Sequence, residues 1–384
     1  MDATKFNSSS PGTITKIATD WGQDHSFIPH LLPPAFAMSD RLWKLLTEAK
    51  HQIGILEGLG RTLPNPAILL RPVADREAIQ SSRLEGTYAS PRELLLFELD
   101  QNENSLDDHR EVFNYRKALN HGTASDLPIS LRLIRDLHRI LLTGVRGKEK
   151  TPGEFRKIPV GIGSGGRFIP PPPEYVMSCL DPLERYFHNT EPCVDPLIDC
   201  FLVHYQFETI HPFIDGNGRV GRLLLAIMLQ QKCNLTKPWL YMSEFYEASR
   251  DDYVGRLFNV SSTGSWAEWI EYCLQGTTQQ ARDTISRCER LVKIRDSFMS
   301  KLHECGGSIR LKQIVDDVFH SPFVRIADLP ARLDVTYPTA RADVERLVDV
   351  KILRELPTVR PKTYYAPEVF NVAYEKLDNG DILT

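Results

Sequence analysis

The stretch His211-Pro212-Phe213-Ile214-Asp215-Gly216-Asn217-Gly218-Arg219-Val220-Gly221-Arg222 decides how the chain is read. Helical periodicity from Asp195 to Phe207 runs into it and the apolar run Leu223 to Leu229 leads out, which predicts a polar loop between two helices. Gly216, Asn217 and Gly218 let the backbone turn with positive φ and approach a ligand closely. Their amides, with those of Arg219, Val220 and Gly221 in the first turn of the outgoing helix, converge on an anion site that the helix dipole reinforces. Arg219 and Arg222 are three apart, hence on one helix face, and guanidinium groups match phosphate oxygens two at a time. Asp215 offers one hard oxygen ligand, which suits Mg²⁺ held mostly by substrate phosphates and water. His211, at the loop mouth, is the proton acceptor suited to neutral pH. Base, metal ligand, amide cradle and arginine clamp describe a phosphate-transfer site.

Composition narrows the setting. The chain has 384 residues, with 46 lysines and arginines against 50 acidic residues, a net charge of −4 and 42% hydrophobic residues. That balance excludes a disordered chain, a collagen and a histone-like cationic binder. The run from Leu223 to Leu229 falls far short of the ~20 residues that span a bilayer, and the first residues carry no apolar leader. A cytoplasmic protein without membrane contact is expected. Seven cysteines (179, 193, 200, 233, 273, 288 and 305) contain no CxxC pair and read as reduced structural thiols.

Along the chain, the Ser/Thr/Gly-rich residues 1 to about 30 predict a loosely structured lead-in. Helical spacing begins at Ser39, continues in blocks over Pro72–Ser82 and Pro91–Phe97, and dominates the middle third. Val160 to Pro173 (VGIGSGGRFIPPPP) differs: glycines supply a turn and prolines stop a helix, so a hairpin or flap is expected. After Gln279 a long helix should run to about His303. Helices over Leu311–Val318, Ala327–Leu333 and Thr336–Val350, then β-prone Ile352–Leu356 and Lys362–Ala366, follow a winged helix-turn-helix order. The expectation is an all-α chain with a small β flap, in three parts: 1–105, 106–280 and 281–384.

At these residues the chain resembles a known family. HPFIDGNGRVGR, residues 211–222, is similar to the Fic motif HPFxxGNGRxxR at every specified position. Fic proteins are mostly protein adenylyltransferases, which move AMP from ATP to a protein hydroxyl. The resemblance implies that His211 deprotonates a target Tyr, Thr or Ser, and that Asp215 holds Mg²⁺ on the α/β-phosphates. It implies further that Asn217 and the Gly216–Gly218 loop bind phosphates, that Arg222 grips the γ-phosphate, and that Phe213 is a core anchor. Relatives acting as kinases carry lysine where this chain has Gly218. Pro152-Gly153-Glu154-Phe155-Arg156 and the 160–173 hairpin resemble the family's flap, which docks the target backbone by strand addition. Tyr253 matches a position near the adenine. Ser81-Ser82-Arg83-Leu84-Glu85-Gly86 matches the inhibitory motif [S/T]xxxE[G/N], so Glu85 is expected to pair with Arg222 through a bidentate ion pair and hold the enzyme in check. Residues 27–100, with LLPPAF and LEGT, resemble the N-terminal helical part of long bacterial Fic proteins.

Other signals carry less. GxGxxG at Gly161–Gly166 precedes a proline run rather than a helix, which excludes a dinucleotide fold. His204 and Glu208 form an HxxxE pair lacking a third ligand, so a satisfied core histidine supporting the site is expected. Arg290 to Thr384 holds 15 basic and 14 acidic residues, which argues against DNA binding and for target docking or dimerisation. Self-modification and a homodimer are left open. Two rival functions are removal of AMP, with Glu85 positioning a water, and a DNA-binding regulator whose core only senses nucleotide.

Overall fold

The computed structural model describes residues 1–384 apart from 64, 100–106, 126–127, 146–149, 164–166, 190, 192–193, 305, 358 and 378–384. It opens with a β-hairpin, β1 (Gly12–Thr19) and β2 (Gly22–Pro29), paired from Gly12↔Pro29 to Thr19↔Gly22. This corrects the loose lead-in. The β-branched residues Thr13, Ile14, Thr15 and Ile17 suit a strand, but only one face is half-buried, so their alternation is weak. Contacts with residues more than a hundred positions away secure the hairpin.

Helices make up most of the rest, as the patterning requires. The N-terminal set is α1 (Asp40–Thr62), α2 (Ala67–Leu84), α3 (Pro91–Leu99), α4 (Asp107–Thr123) and α5 (Leu131–Leu141). Then come α6 (Val176–Phe187), α7 (Pro196–Ile210), α8 (Asn217–Lys232), α9 (Ser243–Ala248) and α10 (Arg250–Thr263). The long α11 (Trp266–Glu304) begins thirteen residues before the expected Gln279 and runs unbroken past residue 280. Helices α7 and α8 are buried on nearly every side, because apolar residues surround them, and they pack together at the centre. The site loop is therefore carried by two helices buried along nearly their whole length.

Every residue of α2 from Pro72 to Ser82 is buried, including Asp75, Arg76 and Glu77. Such charges are tolerated only when paired. Asp75 accepts from Arg116 at 2.8 Å and from the Tyr374 hydroxyl at 2.8 Å, and Arg76 meets Glu244 at 2.6 Å. On its other side, α2 reaches the C-terminal residues: Arg76 donates to the Glu375 carbonyl and Arg83 to that of Leu377.

The last unit comprises α12 (Ile309–His320), β3 (Phe323–Arg325), α13 (Leu329–Leu333), α14 (Tyr337–Asp349), β4 (Arg354–Leu356), β5 (Thr363–Tyr365) and α15 (Pro367–Tyr374). Its antiparallel sheet has the order β3-β5-β4. Strand β3, three residues long, has no periodicity to betray it. The far half of α11 gives Leu291, Phe298 and Leu302 to this unit's own core. Of the cysteines, 179, 200, 233, 273 and 288 are free thiols, whereas 193 and 305 lie outside the described residues. None of the helices described is long and apolar enough to cross a membrane.

Candidate active site

The chain leaves α7 at His211, whose φ of 49° and ψ of 61° are left-handed. For a non-glycine residue this conformation costs ~1–2 kcal/mol, so something must hold it. Arg156, buried, does so. Its Nε donates to the His211 carbonyl at 2.8 Å and its Nη2 to Pro171 at 2.6 Å and Ile210 at 3.3 Å. Its own N–H reaches the Pro212 carbonyl at 2.8 Å. Burial depresses this guanidinium to about 10.

Beyond His211 the loop closes on itself. The Asn217 amide accepts from Phe213 N–H at 2.8 Å and donates to Phe213 C=O at 2.9 Å. Asn217, 2% exposed, thus shapes the cradle from within, both ends of its side-chain amide being engaged by Phe213. Gly216 takes φ +76°, as the turn requires. The ring of His138 lies on that of Phe213, with centroids 3.8 Å apart. His138 Nδ1 accepts from Gly153 N–H at 2.8 Å, so Nε2 carries the proton and donates to the Asp215 carbonyl at 3.0 Å. Burial pushes His138 down to about 4, which keeps that neutral tautomer. Sequence reasoning missed His138: on the apolar face of α5 it reads as an ordinary core residue.

His211 Nδ1 faces the Glu208 carbonyl at 3.2 Å. A carbonyl only accepts, so Nδ1 bears the hydrogen and Nε2 keeps a lone pair. Burial lowers this imidazole to about 4, leaving it an unprotonated base at neutral pH. It lines a cleft of about 440 Å³ together with Glu85, Glu208, Gly218, Arg222 and Tyr253. Arg250, Val254, Leu257, Phe258 and Ser261 of α10 and the flap residues Ile162, Gly163, Arg167 and Phe168 line it as well. That volume suits a small ligand.

Arg222 is 3% exposed and threefold bound: Nε to Ser81 Oγ at 2.8 Å, Nη2 to Ser81 C=O at 2.8 Å, and Nη2 to Glu85 Oε1 at 2.7 Å. The expected Glu85–Arg222 pair is present, but through one bond, with Nε engaged by Ser81. Burial works to raise the Glu85 carboxyl, and the Arg222 guanidinium outweighs it, holding the group below its ordinary range. A Cβ on Gly218 would lie 2.1 Å from Glu85 Oε1. Glu85 therefore sits directly over the loop.

The other site residues are arranged differently. Arg219 turns from the cleft to Glu111 at 3.0 Å, with Asp215 at 3.7 Å, so the two arginines do not share one task. Tyr253, buried, gives its hydroxyl to His204 Nε2 at 2.9 Å, since His204 Nδ1–H is spent on the Gly221 carbonyl at 3.2 Å. His204 is thus the satisfied core histidine expected, and burial pushes it down to about 3. Val220 is buried in α8, and Gly221 lies against Glu208, whose carboxyl burial raises to about 7. Asp215 stands at the loop mouth, its side chain 49% exposed, with Oδ1 accepting from Gly216 N–H at 2.6 Å. No cluster of three His, Cys, Asp or Glu that would hold a metal unaided exists among the described residues. A lone exposed carboxylate beside an anion cradle fits a cation that arrives with a phosphate ligand. The flap's arms meet in one bridge, Ile162↔Phe168, rather than a full ladder, and residues 164–166 between them lie outside the described residues.

Residues 43–124 match the family model Fic/DOC family N-terminal, and residues 128–229 match Fic/DOC family. Protein adenylyltransferase Fic of Drosophila grimshawi is 33% identical over 149 residues, which cover 38% of this chain and 30% of that protein. The Drosophila melanogaster protein of the same name is 32% identical over 149 residues, covering 38% and 29%. The aligned part therefore spans under a third of these relatives' length. Among solved structures, a Fic family protein from Desulfovibrio desulfuricans G20 has a TM-score of 0.58 at 20% identity, covering 87% of this chain and 98% of that one. Fic-1 from C. elegans (residues 134–508) has a TM-score of 0.52 at 21% identity, covering 65% and 74%. At such identities the likeness concerns the fold.

Proposed function

The chain belongs to the Fic/DOC family, and from that premise we propose that it transfers AMP from ATP to a Tyr, Thr or Ser hydroxyl of a target protein or of itself, restrained by Glu85. The observation that carries this reading is the tautomer of His211: Nδ1–H is engaged by the Glu208 carbonyl, and the residue faces the cleft that holds Gly218 and Arg222. In this reading Nε2 takes the hydroxyl proton, the oxygen attacks the α-phosphorus, and pyrophosphate leaves. The first-turn amides of Asn217, Gly218 and Arg219 and the Arg222 guanidinium hold the phosphates, while the Arg219 side chain steadies Asp215 and α4 behind them. Tyr253 forms the wall beside the base. Asp215 would hold Mg²⁺, which when bound neutralises phosphate charge. The arm from Val160 docks the target, and the last unit, read as a winged helix, serves docking or dimerisation in a cytoplasmic protein.

Removing the base tests the assignment. His211→Ala should cut transfer ~10²–10⁴-fold, with ATP affinity by calorimetry nearly unchanged, because amides and arginines bind the nucleotide. Affinity lost together with the imidazole would contradict the role of His211. One observation favours a second reading: the Glu85 carboxylate lines the same cleft as His211, where it would orient a water against an AMP-modified side chain. Release of AMP from modified protein by the wild type, and not by Glu85→Gly, would establish it.

A further inference from the structure

Residues before position 43 lie outside both family matches, yet they touch three walls of the cleft. Toward the flap, Phe27 N–H donates to the Ile169 carbonyl at 2.9 Å, and the buried Ser26 hydroxyl donates to the Pro170 carbonyl at 2.7 Å. The Phe27 ring, fully buried, meets Phe168 of the flap at 5.7 Å and Phe6 at 5.5 Å. Toward α10, Phe6 meets Phe258 edge-on at 5.9 Å, Asn7 N–H reaches the Ser262 carbonyl at 2.9 Å, and Ser10 Oγ reaches that of Ser261 at 2.6 Å. Toward α7, which ends at the base, Gln206 donates to the His30 carbonyl at 2.9 Å. Segments far apart in sequence, each lining the cleft, are thus joined by the hairpin together with its flanking residues Phe6 to Ser10 and His30.

The consequence for the flap is asymmetry. Its Phe168–Pro170 arm is covered by β2 on one side and bridged to Ile162 on the other. Among the described residues, no backbone hydrogen bond engages Val160 or Gly161 on the opposite arm. An extended chain adding to this flap would find donors and acceptors on that arm alone.

We propose that the N-terminal hairpin is part of the target-docking apparatus: it covers one arm of the flap, leaves Val160–Gly161 as the edge open to an extended target segment, and fixes that edge relative to His211. Phe27 and Ser26 are its positioning residues. The docking role rests on the AMP-transfer reading; the bracing of the flap does not.

Phe27→Ala tests both parts. Amide exchange followed by mass spectrometry should be at least ~10-fold faster at Ile162 and Phe168, while the α8 amides keep their protection. In a Glu85→Gly background, labelled-AMP incorporation into the chain itself should fall on the order of tenfold, with ATP affinity within about twofold of the parent. Phe27→Leu, which refills the site, should restore most of both. Should Phe27→Ala not fold, Ser26→Ala removes one hydrogen bond and undergoes the same comparison. Unchanged flap exchange in a folded variant overturns the proposal, as does ATP affinity falling in step with transfer. If the Glu85→Gly parent itself transfers no AMP, the functional reading fails, and exchange still decides whether the hairpin braces the flap.

Discussion

Glu85→Gly should convert a restrained enzyme into an active one, and the structure sets the scale. Glu85 Oε1 lies 2.7 Å from Arg222 Nη2, which puts the charge centres about 4 Å apart. Coulomb's law at an effective dielectric of ~20 gives ~4 kcal/mol. The Glu85 side chain keeps 37% exposure in an open cleft, so screening and desolvation leave about 1–2 kcal/mol. Any phosphate that recruits Arg222 must overcome that pair, and it must also displace an oxygen lying over Gly218. The first effect lowers productive binding ~5–30-fold, and misplacing the reacting phosphorus costs up to ~10² more. A gain of ~10- to 10³-fold in transfer is therefore expected. Folding should survive, since Arg222 retains two contacts with Ser81 and Gly86 at φ +83° already ends the helix. The assay compares labelled-ATP incorporation by both proteins at equal concentration, into themselves and into lysate proteins. Arg222→Ala in the same background should abolish the gain, and Glu85→Gln, neutral but similar in shape, should fall between. No gain on any acceptor would refute the reasoning.

Further expectations follow from the same geometry. Asp215→Ala should abolish the Mg²⁺ dependence of transfer along with activity; wild-type turnover at limiting Mg²⁺ would place the metal elsewhere. Arg156→Lys keeps a charge but cannot fan out to the same carbonyls, so transfer should drop at least ~10-fold with ATP binding preserved, and equal rates would show that His211 does not need the clamp. Tyr374→Phe leaves the buried Asp75 short of one donor, which should cost about 1.5–3 kcal/mol in urea unfolding; a change below ~0.5 kcal/mol would contradict that. His138, His204 and His211 are lowered to about 4, 3 and 4 from 6.5. They stay neutral when folded and take protons when unfolded, so stability should decline as pH falls from 6.5 toward 4. Glu208, raised to about 7 from 4.5, works oppositely: its contribution is full below 4.5 and lost as pH rises through 7. A melting temperature constant between pH 6.5 and 4 would contradict these burials.

How much could be read in advance depended on range. The loop from His211 to Arg222 was legible because its chemistry is local: glycines for the turn, amides at a helix start, arginines at helical spacing. Helices α5, α7 and α8 followed from periodicity. The Glu85–Arg222 contact spans 137 residues and was reachable only through the resemblance of Ser81–Gly86 to an inhibitory motif. The side-chain partners of Asn217 and Arg219 were out of reach, because spacing places a residue on a face without saying which neighbour competes for it. Here Phe213 and Glu111 compete. The N-terminal hairpin, the clamp that Arg156 makes on the His211 carbonyl and the part played by His138 were illegible for a shared reason: each acts on carbonyls or rings brought near only by the fold. Helix α2 began earlier than expected, at Ala67, because burial on all sides outweighs the hydrogen bond lost at Pro72.

Intact-mass spectrometry of Glu85→Gly after incubation with ATP and Mg²⁺ tests the central claim most directly. AMP transfer predicts a mass increment of one adenylate on the chain or an added protein, absent from Glu85→Gly/His211→Ala and much smaller in the wild type. An increment of one phosphate, or an adenylate that persists without His211, would contradict it.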